Sequence, residues 1–449
     1  MPSKILSAAA MAAVSATASD HWAVIVAGSN TFGNYRHQAD TCHAYQIMKK
    51  HGIPESQIIH LAYDDIANNS QNPFKGQIFN KPTAAGTPGV DVYAGCKIDY
   101  KGSNTTAANV IKVLTGDTSA PGPVLKSNAN SRIFFYFADH GAPGLVAMPV
   151  GGYLYADKLQ AAFNTMYQNK MYKEMVVYIE ACESGSMFTK LPTNMNIYAT
   201  TAANASESSW GTYCSPDDMV NGKHIGSCLG DLYSVNWMED ADKANMNTET
   251  LLDQYNTVKT ETSKSHVLQF GDLTIDKEPI GDFEAGNVDL AGEKKHFWEQ
   301  FKHIGKNFLK DVTHFDEAAS KRKNDYAVDS RDIQLHYLYN KVMSDPSIEN
   351  NQALQNELTH RTEVELRFAK LFPAHVDAFK ANTIPVPTDF DCYRTLIQTY
   401  EDECAPLTEY TMKYFKYFVA ECEGMKSFPS AIDGTIHRMK SVCKVEETL

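Results

Sequence analysis

The chain has 449 residues, of which 43% are hydrophobic and 21% charged, which places it among globular proteins and not disordered ones. Its 41 Lys and Arg against 54 Asp and Glu give a net charge of −13. That balance excludes a general nucleic-acid binder, which needs a basic face for phosphates. Nine cysteines are an odd number, so an exported chain would leave at least one thiol over.

Residues 1–19 read as a secretory signal: Lys4, an apolar run from Ile5 to Val14, then small residues Ala16-Thr17-Ala18. A loose N-terminal helix is the alternative. No later stretch reaches the roughly 18 apolar residues of a membrane span. The expected destination is the secretory pathway, to a lysosome or vacuole or outside the cell. Asn68, Asn104 and Asn204 head glycosylation sequons.

Trp22–Ala27 is a predicted strand ending at Gly28. A helix is expected from about Ala39, with Lys49, Lys50 and His51 favouring its C-terminal dipole and Gly52 and Pro54 stopping it. Gln57–Tyr63 is a second strand, and residues 106–114 a helix ended by Gly116. Ile133–Ala138 is a wholly apolar strand. Leu159, Phe163, Met166 and Tyr167 sit at helical spacing. Met175–Ile179 and Ile197–Thr200 are further strands. Apolar strands alternating with helices imply a mostly parallel sheet covered on both faces, an α/β domain over residues 20–278. Residues 279–330 are charged, poor in β-branched residues, and read as a linker with some helix. From 331 to 449 the pattern is only helical. Leu335, Leu338 and Val342 share one face, as do Val364, Phe368, Leu371 and Phe372, and then Phe415, Phe418, Val419 and Cys422.

Two strands end in reactive groups: Ile133-Phe-Phe-Tyr-Phe-Ala-Asp-His140-Gly141 and Met175-Val-Val-Tyr-Ile-Glu-Ala-Cys182-Glu183. Sites in parallel sheets form beyond the carboxyl ends of strands. A thiol and an imidazole there can form a nucleophile and its proton partner. Gly141 lacks a Cβ, so its N–H, with that of Cys182, can serve a substrate oxyanion. Singly, a buried Cys is more often a small apolar residue and a buried His a structural one. Their pairing at two strand ends favours the dyad. A polar cluster from Gly28 to Asp40 faintly suggests a phosphate loop, but no Lys-Ser/Thr follows; a solvated loop before a helix is the alternative.

Asn34-Tyr-Arg-His-Gln-Ala-Asp40, Tyr136-Phe-Ala-Asp-His-Gly141 and Tyr178-Ile-Glu-Ala-Cys-Glu-Ser-Gly-Ser-Met187 resemble legumains. So do Tyr198-Ala-Thr-Thr-Ala-Ala-Asn204 and Leu229-Gly-Asp-Leu-Tyr-Ser-Val-Asn-Trp-Met-Glu-Asp240. These asparaginyl endopeptidases are cysteine proteases of caspase-like fold. The likeness is dense from His21 to about Phe270 and weaker beyond. It implies Cys182 as nucleophile, His140 as general base and acid, Asn34 as the residue orienting the imidazole, and Gly141 and Cys182 as oxyanion donors. It implies an S1 pocket of Arg36, His37, Glu180 and Asp231, with Ser208 and Ser209 lining the substrate strand.

A substrate Asn offers one acceptor and two donors, which a cation and carboxylates would match. Asp should be refused at neutral pH and admitted once protonated. The same residues would serve a peptide ligase, in which an amine replaces water. A non-catalytic protease-like binding protein is the alternative of another class. No cofactor and no metal are expected.

The resemblance also favours bridges Cys392–Cys422, Cys404–Cys443 and Cys214–Cys228. Cys42 is read as buried and inert, and Cys96 stays unexplained. The C-terminal domain is implied to be an inhibitory prodomain released at acidic pH. Lys321-Arg-Lys-Asn324-Asp325 is the first-choice activation cut, after Asn324, with Asp325 and Asn307 as backups. Expected partners are protein and peptide substrates, the chain's own prodomain and cystatin-like inhibitors.

Overall fold

A computed structural model of the chain describes residues 20–84, 86–286 and 323–446. The signal reading, most of the linker and Asn307 lie outside the described residues. The α/β part runs β1 (His21–Ala27), α1 (Tyr35–Lys50), β2 (Ile58–Leu61), α2 (Ala107–Thr115), β3 (Arg132–Ala138), then short strands β4 (Gly141–Ala142), β5 (Leu145–Ala147) and β6 (Tyr153–Tyr155). It continues with α3 (Ala156–Gln168), β7 (Glu174–Glu180), β8 (Ile197–Thr201), β9 (Trp210–Thr212), β10 (Met219–Val220), β11 (Lys223–His224), β12 (Gly230–Asp231), α4 (Leu232–Ala241), α5 (Leu251–Glu261), β13 (Leu268–Gly271) and α6 (Gly281–Glu284).

Six strands form one sheet in the order β13-β8-β7-β3-β1-β2. β13 alone is antiparallel to its neighbour. Side chains alternate across each strand, and both faces are apolar. Phe134, Tyr136 and Ala138 of β3 face a core with α1, α4 and α5. Ile133, Phe135 and Phe137 face another with α2 and α3. The carboxyl ends of β1, β3 and β7 therefore come out side by side.

The helical part holds α7 (Ile333–Ser344), α8 (Ile348–Leu371), α9 (Val376–Lys380), α10 (Phe390–Glu403), α11 (Phe415–Met425) and α12 (Ile432–Glu446). Its core is aromatic, with the Phe368 ring stacked 4.9 Å from Tyr400 and 5.3 Å from Tyr414. Ala142 and Leu145 of the β4–β5 hairpin join this core, so the two parts share buried surface.

Four features depart from the sequence reading. α1 begins at Tyr35, four residues before Ala39, because the loop after β1 closes through a single 3-10 turn at Phe32–Asn34. Arg36, His37 and Gln38 are thus buried helix residues and not part of a solvated loop. Tyr167 turns outward at the end of α3, leaving Ala162 with Leu159, Phe163 and Met166 on the buried face. On α7 the buried residues are Ile333, Tyr337 and Leu338, while Leu335 and Val342 are half-buried. Within the expected linker, Val328–Asp329 forms a strand, β14, paired with β9.

The cysteine reading is corrected in one respect. Cys42 is bonded to Cys96, so it is not a free inert thiol and Cys96 is explained. The other three bridges are Cys214–Cys228, Cys392–Cys422 and Cys404–Cys443. The bridge from α1 to Cys96 spans 54 residues of sequence. Closing a loop of that size constrains the unfolded chain. Replacing both cysteines by Ala is expected to cost about 3 kcal/mol of stability. Thermal unfolding followed by circular dichroism checks this.

Candidate active site

β3 and β7 pair in parallel with Ala138 opposite Glu180, and Asp139 N–H donates to Glu180 O at 3.0 Å. Asp139-His140 and Ala181-Cys182 therefore leave adjacent strand ends together. From the end of β1 the chain reaches Asn34 at the start of α1. His140 Nε2 lies 2.8 Å from Asn34 Oδ1. The Asn34 amide is fixed by donation from Nδ2 to Asn30 O at 3.0 Å. His140 Nδ1 has no hydrogen-bond partner among the described residues.

Cys182 is the free cysteine, fully buried. Its Sγ accepts from Ser209 N–H at 3.3 Å and lies 3.8 Å from Ser209 Oγ. Burial, opposed by Arg331 and reinforced by Glu183 and Asp329, pushes the thiol up to about 11. It is held protonated and weakly nucleophilic in this closed state. Glu183, the next residue, takes the left-handed conformation with φ of 51°, a strained turn for a side-chain-bearing residue. At Gly141 a Cβ would lie 2.3 Å from Cys182 O and 3.0 Å from Ala181 Cβ. Only glycine lets that backbone lie so close to the thiol's own.

A second group is buried beside the dyad. Arg36 Nε donates to Asp231 Oδ1 at 2.8 Å and Nη1 to Asn34 Oδ1 at 3.3 Å, while Nη2 has no partner among the described residues. Glu180 Oε2 accepts from Ser234 N–H and Oγ–H, both at 3.0 Å, and its Oε1 has no hydrogen bond among the described residues. Asp231 Oδ2 has no hydrogen bond among the described residues, with His37 Nε2 3.4 Å away. Burial and then Asp231 raise Glu180 well above its usual range. Among the described residues the pocket thus holds one unpartnered NH2 group and two carboxylate oxygens without a hydrogen bond. That set matches a carboxamide, with one acceptor and two donors.

His37 accepts or donates at Nδ1 to Ser29 Oγ at 2.6 Å and has Asp139 Oδ1 at 3.3 Å. Burial, then Arg36 and His140, keep His37 neutral. Burial raises Asp139 to about 7.

The chain's own later segment covers the site. β14 runs antiparallel to β9, with Val328 opposite Gly211 and Asp329 opposite Trp210. Ser330 N–H donates to Ser209 O at 3.0 Å, and Ser330 Oγ lies 3.2 Å from Ser209 Oγ. Arg331 Nη2 then donates to Gly141 O at 2.5 Å and Glu183 Oε2 at 2.8 Å. Ile333 packs where a Cβ on Gly211 would be, toward Arg36. From the helical domain, Glu409 accepts from Asn34 Nδ2 and lies 3.3 Å from His140 Nε2. Lys416 lies 3.3 Å from Glu183.

The sequence-predicted residues Asn34, Arg36, His37, His140, Gly141, Glu180, Cys182, Ser209 and Asp231 are brought together, and Ser208 is half-buried just before β9. Asn324 and Asp325 lie apart, in a short helical turn. Asn324 Oδ1 accepts from Ser263 N–H and Oγ–H, and its amide donates to Glu261 O. Lys323 beside it is buried, donating to Asn236 at 2.8 Å and to Glu239 and Glu261 at 3.2 Å. Glu183, Ser330, Arg331, Glu409 and Lys416 escaped the sequence reading. Glu183 alone carried a local signal, as the acid directly after the cysteine.

A mostly parallel sheet with helices on both faces brings a lone thiol and an imidazole out at neighbouring strand ends, the arrangement of a cysteine endopeptidase. Residues 21–296 match the Peptidase C13 family, and residues 352–439 match the legumain prodomain. The chain is 39% identical to a vacuolar-processing enzyme of Vicia sativa, covering 91% of this chain and 84% of that one. It is 37% identical to a legumain of Canavalia ensiformis, covering 89% and 84%. A solved caspase-1 from Spodoptera frugiperda shares 10% identity over 56% of this chain and 88% of its own, at a TM-score of 0.35. The chain belongs to the peptidase C13 family of legumains and vacuolar-processing enzymes and carries the family's C-terminal prodomain. The reading as a non-catalytic binding protein falls.

Proposed function

We propose that the protein is an asparagine-specific endopeptidase made as a zymogen and activated by acid. The observation that carries this is the unpartnered trio of Arg36 Nη2, Glu180 Oε1 and Asp231 Oδ2, buried next to Cys182. Arg36 donates to the substrate carboxamide oxygen, and the carboxylates accept its N–H groups. Once the covering strand leaves, Cys182 attacks the carbonyl, and its proton passes to His140, which Asn34 holds in place. The N–H groups of Gly141 and Cys182 stabilise the oxyanion. His140 then protonates the leaving amine, and water resolves the acyl-enzyme. Relatives named vacuolar-processing enzymes support delivery to a vacuole or lysosome-like compartment.

The test is hydrolysis of matched Ala-Ala-Asn and Ala-Ala-Asp reporters after acid incubation. Asn cleavage lost on alkylation of Cys182 supports the reading. The Asp/Asn rate ratio should rise as pH falls from about 7 to 4, since a protonated Asp offers both donor and acceptor. A ratio that stays flat would refute the pocket assignment. Mass spectrometry of the same sample locates the activation cut, expected after Asn324. The Asn324 side chain is engaged with Ser263 and Glu261, so that cut requires this turn to open and a second molecule's site.

Acid release has a physical basis at Glu409. Burial alone would raise this carboxyl, but His140, Asn34 and Arg36 outweigh it and bring it down to about 2. A group held down in the closed form stabilises that form fully above its ordinary value of 4.5, and loses the contribution as pH falls from there toward 2. Its side chain is 37% exposed, so solvent screens the contact. Glu409→Gln is expected to weaken docking by about 1 kcal/mol, roughly five-fold in the open fraction at pH 6. The pH dependence below about 5 should also flatten. The rate at which the intact chain disappears, followed against pH, checks both.

A further inference from the structure

We propose that His37, Asp139 and His140 form a binding site for a zinc-like divalent transition ion that silences the enzyme reversibly. One ligand atom from each lies within 4.8 Å of the other two. His37 Nδ1 and Asp139 Oδ1 are 3.3 Å apart. That is the separation of adjacent ligands on a tetrahedral ion with bonds of about 2.0–2.2 Å.

Three further observations point to a ligand. Among the described residues, neither Asp139 oxygen nor His140 Nδ1 has a side-chain hydrogen-bond partner, although the two residues are only 2% and 3% exposed. Buried polar atoms in folded proteins are nearly always partnered, so three together mark a place prepared for something else. The other nitrogen of each histidine already faces an oxygen. His140 Nε2 has Asn34 Oδ1 at 2.8 Å, and His37 Nε2 has Asp231 Oδ2 at 3.4 Å. His140 is oriented as metal-binding histidines are, its outer nitrogen bonded to a carbonyl oxygen, and His37 has a carboxylate near its outer nitrogen without a hydrogen bond to it. Ser29, Asp139 and His140 also line a cavity of about 530 Å³, which supplies entry and room for a water as fourth ligand. Two imidazoles and one carboxylate suit zinc better than calcium or magnesium, which take oxygen donors. The hydroxyl of Ser29, now 2.6 Å from His37 Nδ1, turns aside when the ion binds.

The ion takes the lone pair of His140 Nδ1, the nitrogen left for the thiol's proton. Inhibition follows from the role proposed above for His140; the binding itself does not depend on that role.

The experiment is calorimetric titration of zinc chloride into the full-length Cys182→Ala protein, in which no thiol is free to ligate. One site per chain is expected, weakened ten-fold or more by Asp139→Asn and by His37→Gln. Cobalt should give the visible absorption of a four-coordinate site, lost in the same variants. Thermal unfolding shows which variants are folded, and either one suffices. Absence of saturable binding overturns the proposal. So does an affinity unchanged in the folded variant, or binding seen only when Cys182 is present. Zinc binding that needs Asp139, in a protein that ignores the Asn reporter, would refute the proposed function and leave this site standing.

Discussion

Ser330→Asn is expected to make the full-length protein cut its own chain between residues 330 and 331. β14 runs antiparallel on β9, the strand proposed to bind substrate, and on that reading the peptide link from Ser330 to Arg331 falls at the catalytic groups. On one side Ser330 N–H is bonded to Ser209 O, and Ser209 touches the Cys182 sulfur. On the other, Arg331 holds Gly141 O and Glu183. Ser330 occupies the position before the crossing bond, but its side chain stops at Ser209 Oγ. It leaves Arg36 Nη2, Glu180 Oε1 and Asp231 Oδ2 unmatched. On the proposed reading the strand therefore takes the substrate's place without the group that the pocket reads.

An Asn at 330 extends a carboxamide toward those three atoms. A site that hydrogen-bonds its substrate discriminates by about 10⁴-fold against a side chain lacking those groups. Cleavage at this bond should rise by at least ~10³-fold over the parent. Arg331, anchored at Glu183, keeps the new amine near the acyl group and favours resealing at neutral pH. The cut should therefore accumulate at about pH 4 to 5, where carboxylate contacts weaken. Intact-mass measurement reads it, and the Ser330→Asn protein that also carries Cys182→Ala must stay whole. If the 330–331 bond survives acid in a protein that hydrolyses the Asn reporter, the strand does not lie in substrate register.

The position of Ser330 shows what a sequence can and cannot disclose. Strands β1, β3, β7 and β8 were readable because burial on both faces demands unbroken apolar runs. His140 and Cys182 were readable because each ends such a run, and parallel order makes those ends adjacent. Asn34 and Arg36 were found by their motif, yet their helix was placed four residues late. Polar residues in the first turn look like loop until their partners, Asp231 and His140, are known. The Cys42–Cys96 bridge joins a helix to an irregular segment, and the Cys96 end carries no periodic pattern that would align the two. Arg331, Glu409 and Lys416 meet the peptidase part only through tertiary packing. Glu409 is 375 residues from Asn34, and no local propensity encodes that contact. The inhibitory face was therefore implied by the resemblance as a domain, and supplied as atoms only by the fold.

Arg36 is the residue whose change should harm catalysis most without touching the thiol. Its guanidinium gives Nε to Asp231 and Nη1 to Asn34 Oδ1, and on the proposed reading Nη2 is the group left for the substrate. Asn34 Oδ1 also holds His140, so Arg36 ties pocket to dyad. Arg36→Met removes the donor fork and leaves Asp231 buried without its cation, which costs about 3–5 kcal/mol of stability. Arg36→Lys keeps the charge but not the planar fork, and is the safer probe. For Arg36→Lys, kcat/KM on the Asn reporter should fall about 10²- to 10³-fold, since one charged hydrogen bond to substrate and one to Asn34 are lost together. Loss of pocket binding alone would raise KM, and the Asn34 link adds a fall in kcat. Alkylation of Cys182 in the acid-opened protein should slow only as far as the Asn34 link loosens His140, well short of the fall in kcat/KM. A kcat/KM within three-fold of the parent would remove Arg36 from the pocket. A fall in kcat/KM matched by slower alkylation would place its effect on the nucleophile and not on the substrate side chain.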